Sequence, residues 1–178
     1  MNIKNSERLN FEIMTADDAE LMFQLDQDPE VMRFINGGIL TSHEEIINVY
    51  LPRMATYTNL NKGWGIWKVC LEDSADFIGW VLVRPMHFFG DNPELDNLEL
   101  GWRFSKDSWG KGYATESAAA IKQALIENGG IKKLSAIAVE GNTASVNIMK
   151  KLGMKYIKTY FHEDPIFSDM VVYYELEV

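Results

Sequence analysis

Cysteine is almost missing from this chain. Cys70 stands alone, so no disulfide can form within it. Histidine is scarce as well, and His43, His87 and His162 lack metal-ligand spacing, which argues against chemistry through zinc. No apolar run approaches the length of a membrane span. The opening residues Met1-Asn2-Ile3-Lys4-Asn5 lead into polar sequence instead of a signal peptide, so a cytoplasmic location is expected and no membrane partner. Basic residues are in deficit, 17 against 26 acidic ones, and the resulting charge of −9 argues against nucleic acid as a partner. Such a field suits a cationic partner, although acidity also serves solubility alone. Internal repeats and low-complexity linkers are absent too. What is present is 178 residues, 47% of them hydrophobic, enough for one domain over 1–178 with a proper core.

The periodicity alternates between strand and helix. Leu9, Phe11 and Ile13 alternate with polar residues as in a half-buried strand. Thr15 and Asp18 make a capping-box start for a helix bearing Leu21, Met22 and Leu25, which Asp28-Pro29 is expected to end. A second helix is expected after Ser42, with Glu45 in the box position, and Pro52 should kink or break it. Strand patterns follow at 64–72, 77–85 and 97–104, and such tandem strands imply antiparallel pairing. Ala114, Ala118, Ile121 and Leu125 then trace one helical face that Gly129-Gly130 stops. A strand at 134–139, a helix at 143–152 and strands at 154–162 and 169–177 complete an α/β domain with a mixed sheet.

Chemistry concentrates in Trp109-Gly110-Lys111-Gly112-Tyr113-Ala114-Thr115-Glu116, between the end of a strand pattern and the start of a long helix. Two glycines allow a tight turn and close backbone approach to a ligand. The amides of the opening helical turn have no internal acceptor, and with the positive helix end they suit a phosphate or pyrophosphate. The dinucleotide fingerprint fails, because Thr115 stands where its third glycine belongs, and a Walker loop fails because Lys111 precedes Gly112. A second block, running from Asn142-Thr143-Ala144-Ser145 to Lys150-Lys151-Leu152-Gly153-Met154, has a good N-cap, cations in the last turn and a terminating glycine.

Together the two blocks resemble the GNAT N-acetyltransferases: the first matches their Arg/Gln-x-x-Gly-x-Gly/Ala acyl-CoA loop, with Gly112 and Ala114 on the last two fixed positions. The second resembles the Asn-x-x-Ser/Ala signature that follows about thirty residues later. Trp109 replaces the usual Arg or Gln, as in the branch similar to ribosomal-protein N-terminal acetyltransferases. The resemblance implies the GNAT acyl-CoA N-acyltransferase fold: a mixed, mostly antiparallel sheet flanked by helices, with a splayed parallel strand pair binding the cofactor. It implies acetyl-CoA as cosubstrate with no metal. The pantetheine arm would meet Trp102, Arg103 and Phe104, the phosphates Gly110, Lys111, Gly112, Tyr113, Ala114 and Thr115, and Asn142 would bond the arm or the acetyl end. Lys106 and Lys111 are further candidates for the phosphates, with solvated lysines as the plain alternative.

Acetyl transfer to nitrogen requires a neutral amine, hence a proton acceptor. Glu99 is the candidate, directly or through one water; the alternative is a glutamate on the wet face of a sheet. Many relatives supply a tyrosine for the departing thiolate, but the matching residue here is Met149, which cannot donate. Ser145, read as lying on the same helical face, is the replacement, with Tyr156 and Tyr160 more distant. The expected acceptor is a primary amine, first a protein N-terminal α-amine. A small amine of aminoglycoside or polyamine type is the alternative, and a non-catalytic CoA-binding sensor is the rival of another class. A homodimer is compatible with the sequence.

Overall fold

The computed structural model describes residues 1–178. Its seven strands form one sheet in the order β1-β2-β3-β4-β5-β7-β6, from β1 (Leu9–Ile13), β2 (Gly65–Leu71), β3 (Phe77–Met86), β4 (Glu94–Phe104), β5 (Lys133–Val139), β6 (Lys155–Asp164) and β7 (Phe167–Glu177). Every neighbouring pair is antiparallel except β4 with β5, which is parallel. The sequence-derived mixed sheet is therefore present, with β4 starting three residues earlier than the periodicity indicates.

Strand alternation sends residues into cores on both faces. Trp67, Val69, Val81, Val83, Leu98 and Leu100 join a large cluster with Ile121 and Leu125 of α5 (Tyr113–Asn128) and Met149 of α6 (Thr143–Lys151). On the opposite face Ile66 packs with Met14, Met22, Ile46, Met54 and Tyr57 under the early helices. Covering both faces changes the reading of β4: Asn97, Leu98, Glu99 and Leu100 are all buried, so Glu99 is not on a wet face.

Two helix expectations need correction. Asp28-Pro29 does not end the first helix. That helix, α1 (Ala19–Leu25), stops earlier, and Asp28 caps a new one, α2 (Pro29–Asn36), by accepting from the Glu30 amide, with Pro29 at a position where no N–H is required. Pro52 does not break the chain either. α3 (His43–Glu45) runs through a π-helical segment, Ile46–Tyr50, into α4 (Leu51–Tyr57), with Leu51 N–H donating to Ile46 O. The wider π turn lets Pro52 sit in the first turn of α4, where its missing donor costs little.

The β4–β5 contact is short: Asn97, Leu98 and Glu99 face Lys133, Leu134 and Ser135, and pairing then ceases. A buried polar cluster sits at this point. Ser135 Oγ donates to Asn97 Oδ1 at 2.7 Å, and Asn97 Nδ2 donates to Glu94 Oε2 at 2.8 Å and to Tyr173 Oη at 3.2 Å. Unpaired buried polar groups typically cost about 1–3 kcal/mol. Asn97→Ala should therefore lower unfolding free energy by roughly that amount, read as a lower denaturant midpoint with an unchanged slope.

Candidate active site

Beyond Glu99, β4 keeps β3 as a partner as far as Phe104 but has nothing beside it on the β5 side. The backbone groups of this free edge belong to the stretch containing Trp102, Arg103 and Phe104. They open on a wedge whose far wall is α6 and whose floor is the loop before α5.

That loop leaves its backbone N–H groups unpaired. Gly110 and Gly112 have φ of 74° and 85°, the left-handed region that favours glycine. The amides of residues 110–115 donate to no backbone or side-chain acceptor, and the first loop amide to find one is Glu116 N, on Gly112 O. They cluster at the N-terminus of the 16-residue α5, where the helix dipole adds to them. Trp109 closes the loop back onto the strand, its indole Nε1 donating to Phe104 O at 2.9 Å. From the other side Arg8 donates through Nε to Glu116 Oε2 at 2.8 Å and through Nη1 to Lys111 O at 3.1 Å, and its guanidinium lies 4.6 Å from the Tyr113 ring centre. Burial opposes ionisation of Glu116, but its bonds from Ser6 and Arg8 prevail and hold the carboxyl below its ordinary range. Sequence reasoning misses this brace, because Arg8 and Glu116 are ordinary charges until folding joins them.

Two cavities meet here. The first, about 410 Å³, is walled by Trp102, Arg103, Phe104, Trp109, Gly110, Gly112, Tyr113, Ala114, Thr115, Asn142 and Ser145, with Arg33 and Phe34 of α2 and Lys151 of α6. Of the residues expected around the cofactor, Lys106 and Lys111 are not in this wall; both side chains are exposed. Arg33 and Lys151 are the cations the cavity presents instead. The second cavity, about 240 Å³, shares Phe34, Ile35, Arg103, Asn142 and Ser145 with the first and contains Glu99.

Asn142 and Ser145 thus stand at the junction. Asn142 Oδ1 caps α6 by accepting from Ser145 N at 3.2 Å, which leaves its Nδ2 free. Ser145 Oγ accepts from Trp102 Nε1 at 3.3 Å, which leaves the hydroxyl hydrogen available to an acceptor in the cavity. Met149 does not share that outlook: it is fully buried in the large core, so the one-turn spacing does not make a common face here. Tyr156 and Tyr160 line neither cavity. Among the aromatic side chains, Trp80 and Phe34 line the second cavity, whereas Trp64 and Trp67 are core. The acidic residues at 91–96, where Asp96 is held by Lys132, lie outside both cavities.

Each carboxylate of the second cavity faces an arginine. Glu99 Oε2 accepts from Arg84 Nε at 2.7 Å, Asp164 accepts from Arg53 Nη2 at 2.9 and 2.8 Å, and Asp26 pairs with Arg103. Burial works against the Arg84 charge, but Glu99 beside it prevails and raises the guanidinium above its ordinary value. Burial pushes the Tyr57 phenol up to about 12, so it stays protonated. His162, from the β6–β7 hairpin, also faces this cavity.

Comparison with known proteins agrees with this geometry. The family described as "Acetyltransferase (GNAT) domain" matches residues 8–155. The chain is similar to the FsC-acetyl coenzyme A-N(2)-transacetylase of Aspergillus fumigatus, 31% identical over 147 residues, which make up 81% of this chain but 61% of that protein, less than two thirds of its length. A GNAT-family acetyltransferase structure from Bacillus anthracis superposes with a TM-score of 0.76 at 23% identity, covering 99% of this chain and 98% of that one. A ribosomal L7/L12 alpha-N-protein acetyltransferase in complex with coenzyme A gives 0.76 at 13%, covering 99% and 97%. The spermidine N-acetyltransferase of Vibrio cholerae in complex with CoA and spermine gives 0.73 at 13%, covering 97% and 96%. These structural likenesses establish the fold, while the acceptors named in them differ.

A β-branched side chain at Gly112 is strained at φ 85° and adds atoms beside the free amides, with Arg8 Nη2 3.6 Å from its Cβ. Calorimetric titration of Gly112→Val should show CoA affinity reduced by about tenfold or more, since αL strain alone costs about 1–2 kcal/mol. Equal affinity in a folded variant means that the phosphates bind elsewhere.

Proposed function

The chain belongs to the GNAT family of acetyl-CoA-dependent N-acetyltransferases, and from that premise we propose that it acetylates a primary α-amine, first of all a protein N-terminus. The observation that carries this reading is the charge-matched second cavity, where Glu99, Asp164 and Asp26 are each held by an arginine. A polycation needs several unmatched carboxylates along its length, whereas every carboxylate of this cavity is held by an arginine and Glu99 Oε1 is the one oxygen among them left unbound. A lysine ammonium, which ordinarily titrates at about 10.4, also needs a stronger proton acceptor than an α-ammonium at about 7.7–8.0. The Trp109 to Glu116 octapeptide supports a protein N-terminus in particular, through its likeness to the ribosomal-protein branch. A small α-amine is the second reading, favoured by the N(2)-transacetylase relative.

Bound acetyl-CoA supplies a thioester to the amine. The amides of residues 110–115, with Arg33 and Lys151, hold its phosphates, and the free edge at Trp102, Arg103 and Phe104 with Asn142 holds its arm. Glu99 Oε1, which no protein group binds, draws the ammonium in and takes its proton directly or through one water. Ser145, polarised by the Trp102 indole, donates to the sulfur as negative charge develops there.

Thiol release should be fastest with short peptides bearing a free α-amine, slower with an N-blocked lysine peptide and slowest with spermidine. Preference for spermidine overturns the α-amine assignment. Glu99→Gln should cut turnover at neutral pH by roughly a hundred- to ten-thousandfold, and raising the pH should recover part of the loss. Ser145→Ala should lower kcat more than it weakens acetyl-CoA binding, because its interaction strengthens only in the transition state. Unchanged turnover where chemistry limits the rate removes Ser145 from the mechanism.

A further inference from the structure

Among the ionisable groups walling the second cavity, one stands apart. The carboxylates of Glu99, Asp164 and Asp26 are bound to Arg84, Arg53 and Arg103, and burial raises the Tyr50 and Tyr57 phenols, which remain protonated. His162 is the exception. Alternation along β6 puts Tyr160, His162 and Asp164 on one face of the strand, with Phe161 and Glu163 outward. The imidazole is half-buried against the Phe167 ring, 5.6 Å between centres. Its Nδ1 lies 3.4 Å from Tyr160 Oη, while Nε2 has no partner within the protein.

The hairpin that carries this ring is anchored. Arg53 of α4 reaches across and binds both oxygens of Asp164, two residues along from His162, with both side chains largely shielded. That clamp fixes the strand that carries the imidazole into the lining of the cavity that also contains Glu99. The groups acting on His162 come from four directions: Glu99 on β4, Arg84 on β3, His87 just beyond β3, and Tyr160 and Asp164 on its own strand, with Arg53 behind Asp164.

We infer that His162 is the group on which the acceptor's proton comes to rest: Glu99 draws the amine in and passes the proton across the cavity, and His162 Nε2 receives it. The inference rests on the acetyltransferase reading above. The atoms balance: nitrogen forms its bond to the acetyl carbon and the carbon–sulfur bond breaks; of the two protons the ammonium loses, the first moves through Glu99 to Nε2, and the second, shed as the amide forms, reaches the sulfur through the Ser145 hydroxyl, which gives one proton and regains one. The imidazole then loses its proton to solvent before the next turnover. Burial holds His162 below the ordinary histidine range, outweighing Glu99 and Asp164, so at neutral pH the ring is uncharged and ready to accept.

The test uses the full chain, saturating acetyl-CoA and a peptide α-amine from pH 5 to 9. Wild type should show a kcat limb that rises to a plateau through a pKa below the ordinary histidine range. His162→Gln should lower kcat at pH 7 on the order of a hundredfold, abolish that limb and leave CoA affinity by calorimetry unchanged. Adding free imidazole to His162→Ala should restore part of the lost rate, which a purely structural role does not predict. A wild-type enzyme whose His162→Gln variant stays within about threefold, with the acid limb intact, overturns the inference and leaves the acetyltransferase reading standing. Loss of activity without imidazole rescue and with the limb unchanged also overturns it. Absence of thiol release from wild type with every amine overturns the underlying function instead.

Discussion

The brevity of the β4–β5 pairing governs everything built above it, because a parallel ladder that continued past Glu99 and Ser135 would consume the backbone groups that face the wedge. Three residue pairs are enough to hold the strands together at one end, and the Asn97, Ser135 and Tyr173 cluster lies where the ladder stops. Beyond that point β4 leans on β3 alone and β5 on β7 alone, so the sheet stays continuous while its middle parts. The parting supplies backbone acceptors and donors at the only place where α5 presents its unsatisfied N-terminus. Glu99 occupies the last paired position, which puts the carboxylate at the vertex of the opening.

Electrostatics divide between surface and site. The chain carries an excess of nine negative charges, yet the acids that reach the acceptor cavity are each matched by an arginine. The long-range field therefore attracts cations without offering them a bare anionic well. In the first cavity the balance reverses: free amides, Arg33, Arg103 and Lys151 line it beside a single acid, Glu30. Desolvation makes such local arrangements count for more than net charge does.

Much of this is legible in the sequence. Gly110 and Gly112 announce a turn with left-handed backbone, and the free amides follow from helix geometry alone. Asn142 reads as a cap and is one. What cannot be read is anything that depends on a partner distant along the chain. Glu99 stands out as a candidate base, but alternation leaves a solvent-facing glutamate open as the alternative until a second set of helices covers that face. Arg53, Arg84 and Asp164 are unremarkable charges separately, and His162 has no neighbouring motif to single it out. Pro52 misleads for a local reason, since a π segment absorbs the missing donor without breaking the helix. Asp28-Pro29 misleads equally, reading as a stop where it is a start. Ser145 and Met149 show that spacing of one turn is too coarse to assign two residues to one wall.

The brace between Arg8 and Glu116 joins residues 108 positions apart. Contacts of such long separation form late, after the intervening chain has collapsed enough to reward loop closure. The loop therefore depends on β1 being docked at the sheet edge beside β2. The converse holds in the native state. Because loop and brace share Lys111 and Glu116, whatever occupies the amides also fastens residues 6–8, and fraying of that early segment loosens the anion loop in turn. Amide exchange at the start of β1 becomes a remote gauge of cofactor occupancy.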